Sequence, residues 1–157
     1  MFISVLELFK IGIGPSSSHT MGPMFAAAGF LDLVRDHVRS HGCRPGMALR
    51  CILKGSLAFT GRGHGTDRAV TLGLHGYTPR LLAEHHVDRL VEGLWKQSTI
   101  RLDECTFGFS PEHDIVFDRG PPLPEHPNGM IFQLLSPSGE TVMSHTCFSI
   151  GGGFIST

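Results

Sequence analysis

Met130-Ile131-Phe132-Gln133-Leu134-Leu135 and Thr141-Val142-Met143-Ser144-His145-Thr146-Cys147-Phe148 are two runs suited to strands, separated by Ser136-Pro137-Ser138-Gly139-Glu140. The Ser-Pro-Ser-Gly chemistry is that of a tight hairpin turn. Two strands joined so closely must run antiparallel, because a parallel pair needs a crossover of a dozen residues or more. This hairpin decides the fold class. It favours an α+β layer, a sheet with an antiparallel hairpin packed with helices, over a doubly wound sheet.

The rest of the chain reads outward from there. Ser98 to Leu102 and Ile115 to Phe117 are weaker strands. Gly120-Pro121-Pro122-Leu123-Pro124-Glu125-His126-Pro127-Asn128-Gly129 is a proline-stiffened loop. Val87, Leu90, Val91, Leu94 and Trp95 form a helical stripe, with His85-His86 at its start. Met47, Leu49, Cys51 and Leu53 alternate with more polar neighbours, as in a strand with one apolar face. Met24, Ala27, Ala28, Leu31, Val34 and Val38 recur at helical spacing, and Gly42 and Pro45 stop that helix. Ser4 to Phe9 reads as a short helix.

With 157 residues the chain is expected to form one domain with a real core. Charged residues make up 17 %, a low share that points to a surface meeting another domain or subunit. The net charge of −1 gives no electrostatic case for nucleic acid or an anionic membrane. No apolar run is long enough to span a bilayer, and no signal peptide is visible. Cys43, Cys51, Cys105 and Cys147 show no C-x-x-C spacing. Reduced thiols and a cytoplasmic protein are expected, with Cys51 and Cys147 buried in strands. Gly151-Gly152-Gly153 reads as a joint leading to further chain.

Two polar stretches carry the chemistry. The first is Gly14-Pro15-Ser16-Ser17-Ser18-His19-Thr20-Met21-Gly22-Pro23-Met24, a loop entering a helix. The first N–H groups of a helix lack intrahelical partners and attract anions such as a carboxylate. The second is Gly55-Ser56-Leu57-Ala58-Phe59-Thr60-Gly61-Arg62-Gly63-His64-Gly65-Thr66-Asp67. Its alternate glycines read as a loop, with Thr66 or Asp67 capping the helix through Ala69, Val70, Leu72 and Leu74. It is not a P-loop, since no Gly-Lys-Ser/Thr follows, nor a dinucleotide fingerprint, since Thr66 stands at the third glycine. The serine run lacks the closing glycine of a hydrolase elbow. His37 and His41, four apart, have no third ligand nearby and read as a solvated face, so no metal site is expected in this chain.

Ser4-Val5 through Met24, together with Gly55-Ser56-Leu57-Ala58 and Thr60-Gly61-Arg62-Gly63-His64-Gly65-Thr66-Asp67, resembles the signatures of bacterial iron–sulfur L-serine dehydratases. His126-Pro127-Asn128-Gly129-Met130 and Ser149-Ile150-Gly151-Gly152-Gly153 also match that family's pattern. The resemblance covers essentially the whole chain, residues 1–157, as a single β domain without the catalytic α domain. It implies a fold similar to the allosteric substrate-binding domain of some D-3-phosphoglycerate dehydrogenases. It implies an enzyme that converts L-serine to pyruvate and ammonia, with a 4Fe-4S cluster whose cysteines lie outside this chain. It further implies a homodimer and the α domain as partner.

The site expectations follow. His19 and His64 are the candidate catalytic imidazoles, able to act as acid or base. Ser16, Ser17, Ser18, Thr20, Gly63, Gly65, Thr66 and Asp67 are the candidate substrate-binding residues. Both stretches are expected to face the α domain and to be exposed in this chain alone. His126 and Asn128 are candidates for an allosteric serine site. The competing reading is a purely regulatory ligand-binding or dimerisation domain with no catalytic groups.

Overall fold

The computed structural model describes residues 19–150 and 155–156, and the side chains of 61–64 and 155–156 lie outside that description. The helix expected at Ser4 to Phe9 also lies outside the described residues. In order the elements are α1 (Met21–His41), β1 (Ala48–Lys54), α2 (Ser56–His64), α3 (Thr66–Leu74), α4 (Pro79–Leu82) and α5 (Val87–Trp95). There follow β2 (Thr99–Leu102), β3 (Cys105–Gly108), α6 (Pro111–Asp114), β4 (Ile115–Asp118), β5 (Gly129–Leu135), β6 (Thr141–Ser149) and β7 (Ile155–Ser156).

The strands form one mixed sheet in the order β2-β3-β1-β5-β6-β7, with β4 also on β1. The hairpin that decides the class is present: β5 and β6 pair antiparallel from Gly129↔Phe148 to Leu135↔Thr141. β1 runs antiparallel to β5 and parallel to both β3 and β4. Those two share one edge of β1 end to end, β3 at Ala48 and β4 from Cys51 to Lys54. The α+β class holds, with a sheet of mixed rather than purely antiparallel pairing.

Strand alternation places the core. Leu49, Cys51 and Leu53 of β1 and Met130, Phe132 and Leu134 of β5 are fully buried, while their neighbours Arg50, Ile52, Ile131 and Gln133 are half-buried. Against this apolar face lie Ala27, Phe30, Leu31 and Val34 of α1, Leu57 of α2, and Val70 and Leu74 of α3. Phe30 stacks on Phe132 with ring centroids 5.3 Å apart. A second cluster joins Met21 and Met24 of α1 to Ala69 and Leu72 of α3, Leu82 of α4, and Val87, Val91 and Leu94 of α5. Gly73 lets α1 and α3 approach closely, since a Cβ there would overlap the carbonyl of Met24 and the side chain of Ala27.

Two expectations are corrected. The glycine stretch is a helix, α2, from Ser56 to His64 rather than a loop. Each interior glycine disfavours a helix by about 1 kcal/mol. Burial of Leu57 and Ala58, 0 % and 1 % exposed, outweighs that preference at the start of the segment. The break comes at Gly65, whose φ of 76° is left-handed and which itself occupies the cap position expected for Thr66 or Asp67. The cysteines are not all reduced thiols: Cys43, just past α1, forms a disulfide with Cys105 of β3. Sequence spacing gave no sign of it, because the partners meet only when the β2–β3 hairpin docks beside the end of α1. Cys51 and Cys147 are buried strand residues, as expected. No helix among the described residues is long and apolar enough to cross a membrane.

Candidate functional site

The site lies where three segments meet at one end of the sheet. β1 ends at Lys54 beside the start of β5, because Leu53 pairs with Met130. The chain leaving β1 therefore passes the chain entering β5. Gly55 makes the passage possible: its φ is +59°, and a Cβ would overlap the carbonyl oxygen of Pro127. That carbonyl accepts from the backbone N–H of Ser56 at 2.9 Å. The Ser56 hydroxyl donates to Oδ1 of Asn128, and Nδ2 of Asn128 donates to the carbonyl of Ser149 at 3.1 Å. The Ser149 N–H returns a bond to the Asn128 carbonyl at 3.0 Å. His126 Nδ1 accepts from the Asn128 N–H at 3.0 Å and its ring lies 6.5 Å from that of Phe148.

The opening stretch meets the glycine-rich stretch at His19. Nε2 of His19 lies 3.0 Å from Oγ1 of Thr60 in α2. The Thr66 hydroxyl, at the first position of α3, donates to the His19 carbonyl. One histidine is thus held by its ring and by its backbone, from either side of the Gly65 break. Thr20 precedes α1 and its carbonyl accepts from the Met24 N–H at 3.0 Å, but its side chain makes no cap bond. No acidic side chain of α1 itself stands in its first turn.

Placement of the expected residues is uneven. His19 is half-buried and Gly65 and Asp67 are partly accessible. Thr20 and Thr66 are fully buried, contrary to the expectation that this surface is exposed throughout. Thr66 ties the two stretches together through its bond to the His19 carbonyl. Asp67 Oδ1 accepts from the Arg68 N–H at 3.0 Å. Ser16, Ser17 and Ser18 lie outside the described residues, as does the side chain of His64, while the backbone of Gly63 lies in the last turn of α2. Asn128 has both ends of its amide engaged, whereas His126 is half-buried beside it. Reading the sequence missed Thr60 and Ser56 as site members. Their signal was there, two hydroxyls four apart on what proves to be a helix.

A cluster does not fit the described residues of this chain. Two cysteines are bonded to each other, and Cys51 and Cys147 lie in the apolar face of the sheet. Burial pushes both thiols up, Cys147 to about 11, away from the thiolate a cluster needs. Among the described residues no three His, Cys, Asp or Glu side chains converge as a metal site.

The chain is 43 % identical to an L-serine dehydratase of Mycobacterium bovis over 157 residues, covering all of this chain and 33 % of that protein. It is 42 % identical to an L-serine dehydratase of Streptomyces coelicolor over 156 residues, 99 % of this chain and 34 % of that one. An L-serine dehydratase of Helicobacter pylori is 36 % identical over 155 residues, 98 % of this chain and 33 % of its own. The chain thus spans about a third of the length of the curated relatives it matches. The family model for the serine dehydratase beta chain matches residues 4–157, and the chain belongs to that family.

Proposed function

We propose that this chain is the β domain of an L-serine dehydratase and works with a catalytic α domain to eliminate water from L-serine. The reaction removes the α-proton and the β-hydroxyl, and the resulting enamine hydrolyses to pyruvate and ammonia. One observation carries the reading: the two signature stretches converge on His19, through Thr60 at its ring and Thr66 at its carbonyl. In this reading His19 and His64 supply or take up protons. Ser16, Ser17, Ser18, Gly63, Gly65 and Asp67 shape the carboxylate pocket beside the start of α1, a helix with no acidic residue in its own first turn. Thr20 and Thr66 hold the two stretches together. Any 4Fe-4S cluster takes its ligands from the α domain, and the site is completed across the contact with it.

In the intact enzyme, His19→Ala or His64→Ala is expected to lower the saturated rate by roughly 10²-fold or more. Full turnover in both variants sinks the shared-site reading.

A regulatory role has its own support. The loop with His126 and Asn128 is bonded to the first residue of α2, the helix that carries Thr60. We place the effector site for L-serine there, in a domain related to the allosteric substrate-binding domain of D-3-phosphoglycerate dehydrogenases and assembled as a homodimer. His126→Ala should alter serine cooperativity and spare the saturated rate. Unchanged kinetics across the serine range removes the loop from regulation.

A further inference from the structure

We infer that Thr60 is a positioning residue that fixes which ring nitrogen of His19 carries its proton. The inference deepens the proposed role of His19 and rests on it for its functional meaning. Its structural part stands on hydrogen-bond geometry alone.

A hydroxyl has one proton to donate. Thr60 Oγ1 lies 2.7 Å from the carbonyl oxygen of Ser56, one helical turn earlier. A carbonyl oxygen can only accept, so the Thr60 proton is committed to it. This back-bond within the helix also fixes the side-chain rotamer. Nε2 of His19, 3.0 Å from the same Oγ1, must then be the donor. The neutral ring is held as the Nε2–H tautomer, with its lone pair on Nδ1.

The donors that follow point the same way. The Ser56 hydroxyl donates to Asn128, and the Asn128 amide donates to the Ser149 carbonyl. Ser56 is thus fixed at its hydroxyl by Asn128 and at its N–H by the Pro127 carbonyl. The acceptor that orients Thr60 is the carbonyl of that same residue. The loop before β5 therefore sets the position of the group that sets the tautomer of His19. Nothing in the serine run or in His64 is needed for this chain of bonds.

The test is long-range ¹⁵N–¹H NMR of the histidine-labelled chain at a pH where the ring is neutral, with the signals assigned through His19→Gln. In the native protein and in Thr60→Ser, Nε2 should carry the proton and Nδ1 should not. In Thr60→Val the Nε2–H signal should exchange with water several-fold faster and the Nδ1–H form should gain population. An Nδ1–H ring in the native protein overturns the inference, and needs no variant to fold. So does a Thr60→Val spectrum that matches the native one. The same variants in the intact enzyme read the functional meaning separately: Thr60→Val should lower kcat about tenfold with Thr60→Ser close to native. A shifted tautomer with unchanged kcat leaves the positioning intact and overturns the catalytic reading of His19.

Discussion

The hydroxyl of Thr66, a side chain with no exposure to solvent, donates to the backbone carbonyl of His19, 47 positions earlier in the chain. This bond ties the segment before α1 to the first turn of α3, where the two helices already pack through Met24, Ala69 and Leu72. It explains why a threonine is needed at the start of α3 although Gly65 fills the cap position.

Thr66→Val keeps the shape and removes the donor. It should destabilise the fold by roughly 1–3 kcal/mol, the cost of leaving a desolvated carbonyl without its partner. Urea unfolding measures this. Thr66→Ser should recover most of the loss, and a Val variant as stable as native would show that the bond contributes nothing.

Gly55→Ala should be worse. The residue is left-handed, and the added Cβ meets the Pro127 carbonyl. Left-handed backbone costs about 1–2 kcal/mol and overpacking about 1–3 kcal/mol, so a loss of roughly 2–5 kcal/mol is expected. The amide shifts of Ser56 and Asn128 should move together, because the same displacement breaks both of their bonds.

His75 closes α3 with its Nε2 buried and its ring set edge-on against Phe109. Burial lowers its pKa from 6.5 to about 4. The unfolded chain therefore binds the proton that the folded chain refuses. The contribution is fully present above 6.5 and is lost as pH falls from there through about 4. His75→Phe should flatten the stability profile across that window, as read by denaturant midpoints at successive pH values. A slope that survives the substitution assigns it to another group.

The cysteines make a fourth prediction. In the native, oxidised chain no thiol should react quickly with an alkylating reagent, since two are cross-linked and two are buried. Reduction should expose Cys43 and Cys105 only. Cys43→Ser should cost about 2–4 kcal/mol by releasing a long loop in the unfolded state. Anaerobic treatment with iron and sulfide should leave the chain colourless, and a stable cluster formed on it would refute the account of where the ligands lie.

What the sequence made legible was the apolar periodicity. The faces of α1, α5, β1 and the β5–β6 hairpin all lie where Val34, Val91, Leu49 and Phe132 required. Besides the Cys43–Cys105 disulfide, three features escaped it because they arise from tertiary contact. Gly61 and Gly63 argued for a loop, and the burial of Leu57 and Ala58 made a helix instead. The short strand Cys105–Gly108 is too brief to show a period and exists because it pairs with β2 and touches β1 at Ala48. At the site, His19 was legible as chemistry. Thr66 was legible as a candidate too, but its bond to the His19 carbonyl and the part of Thr60 were not, because both residues become neighbours of His19 only when α1 packs on α3 and α2 leads into α3.

β1 and β5 are each hydrogen-bonded on both edges, β1 by β5 on one side and β3 and β4 on the other, β5 by β1 and β6. Their amides should be the last to exchange with deuterated water, since the interior of a sheet opens only with the whole fold. Ser56 is the second residue beyond the end of one of these strands, and Asn128 immediately precedes the other. The groups that orient Thr60 are therefore anchored in the slowest-opening part of the molecule. Local opening of the outer strand β2 should therefore leave the path from Asn128 to the ring of His19 in register.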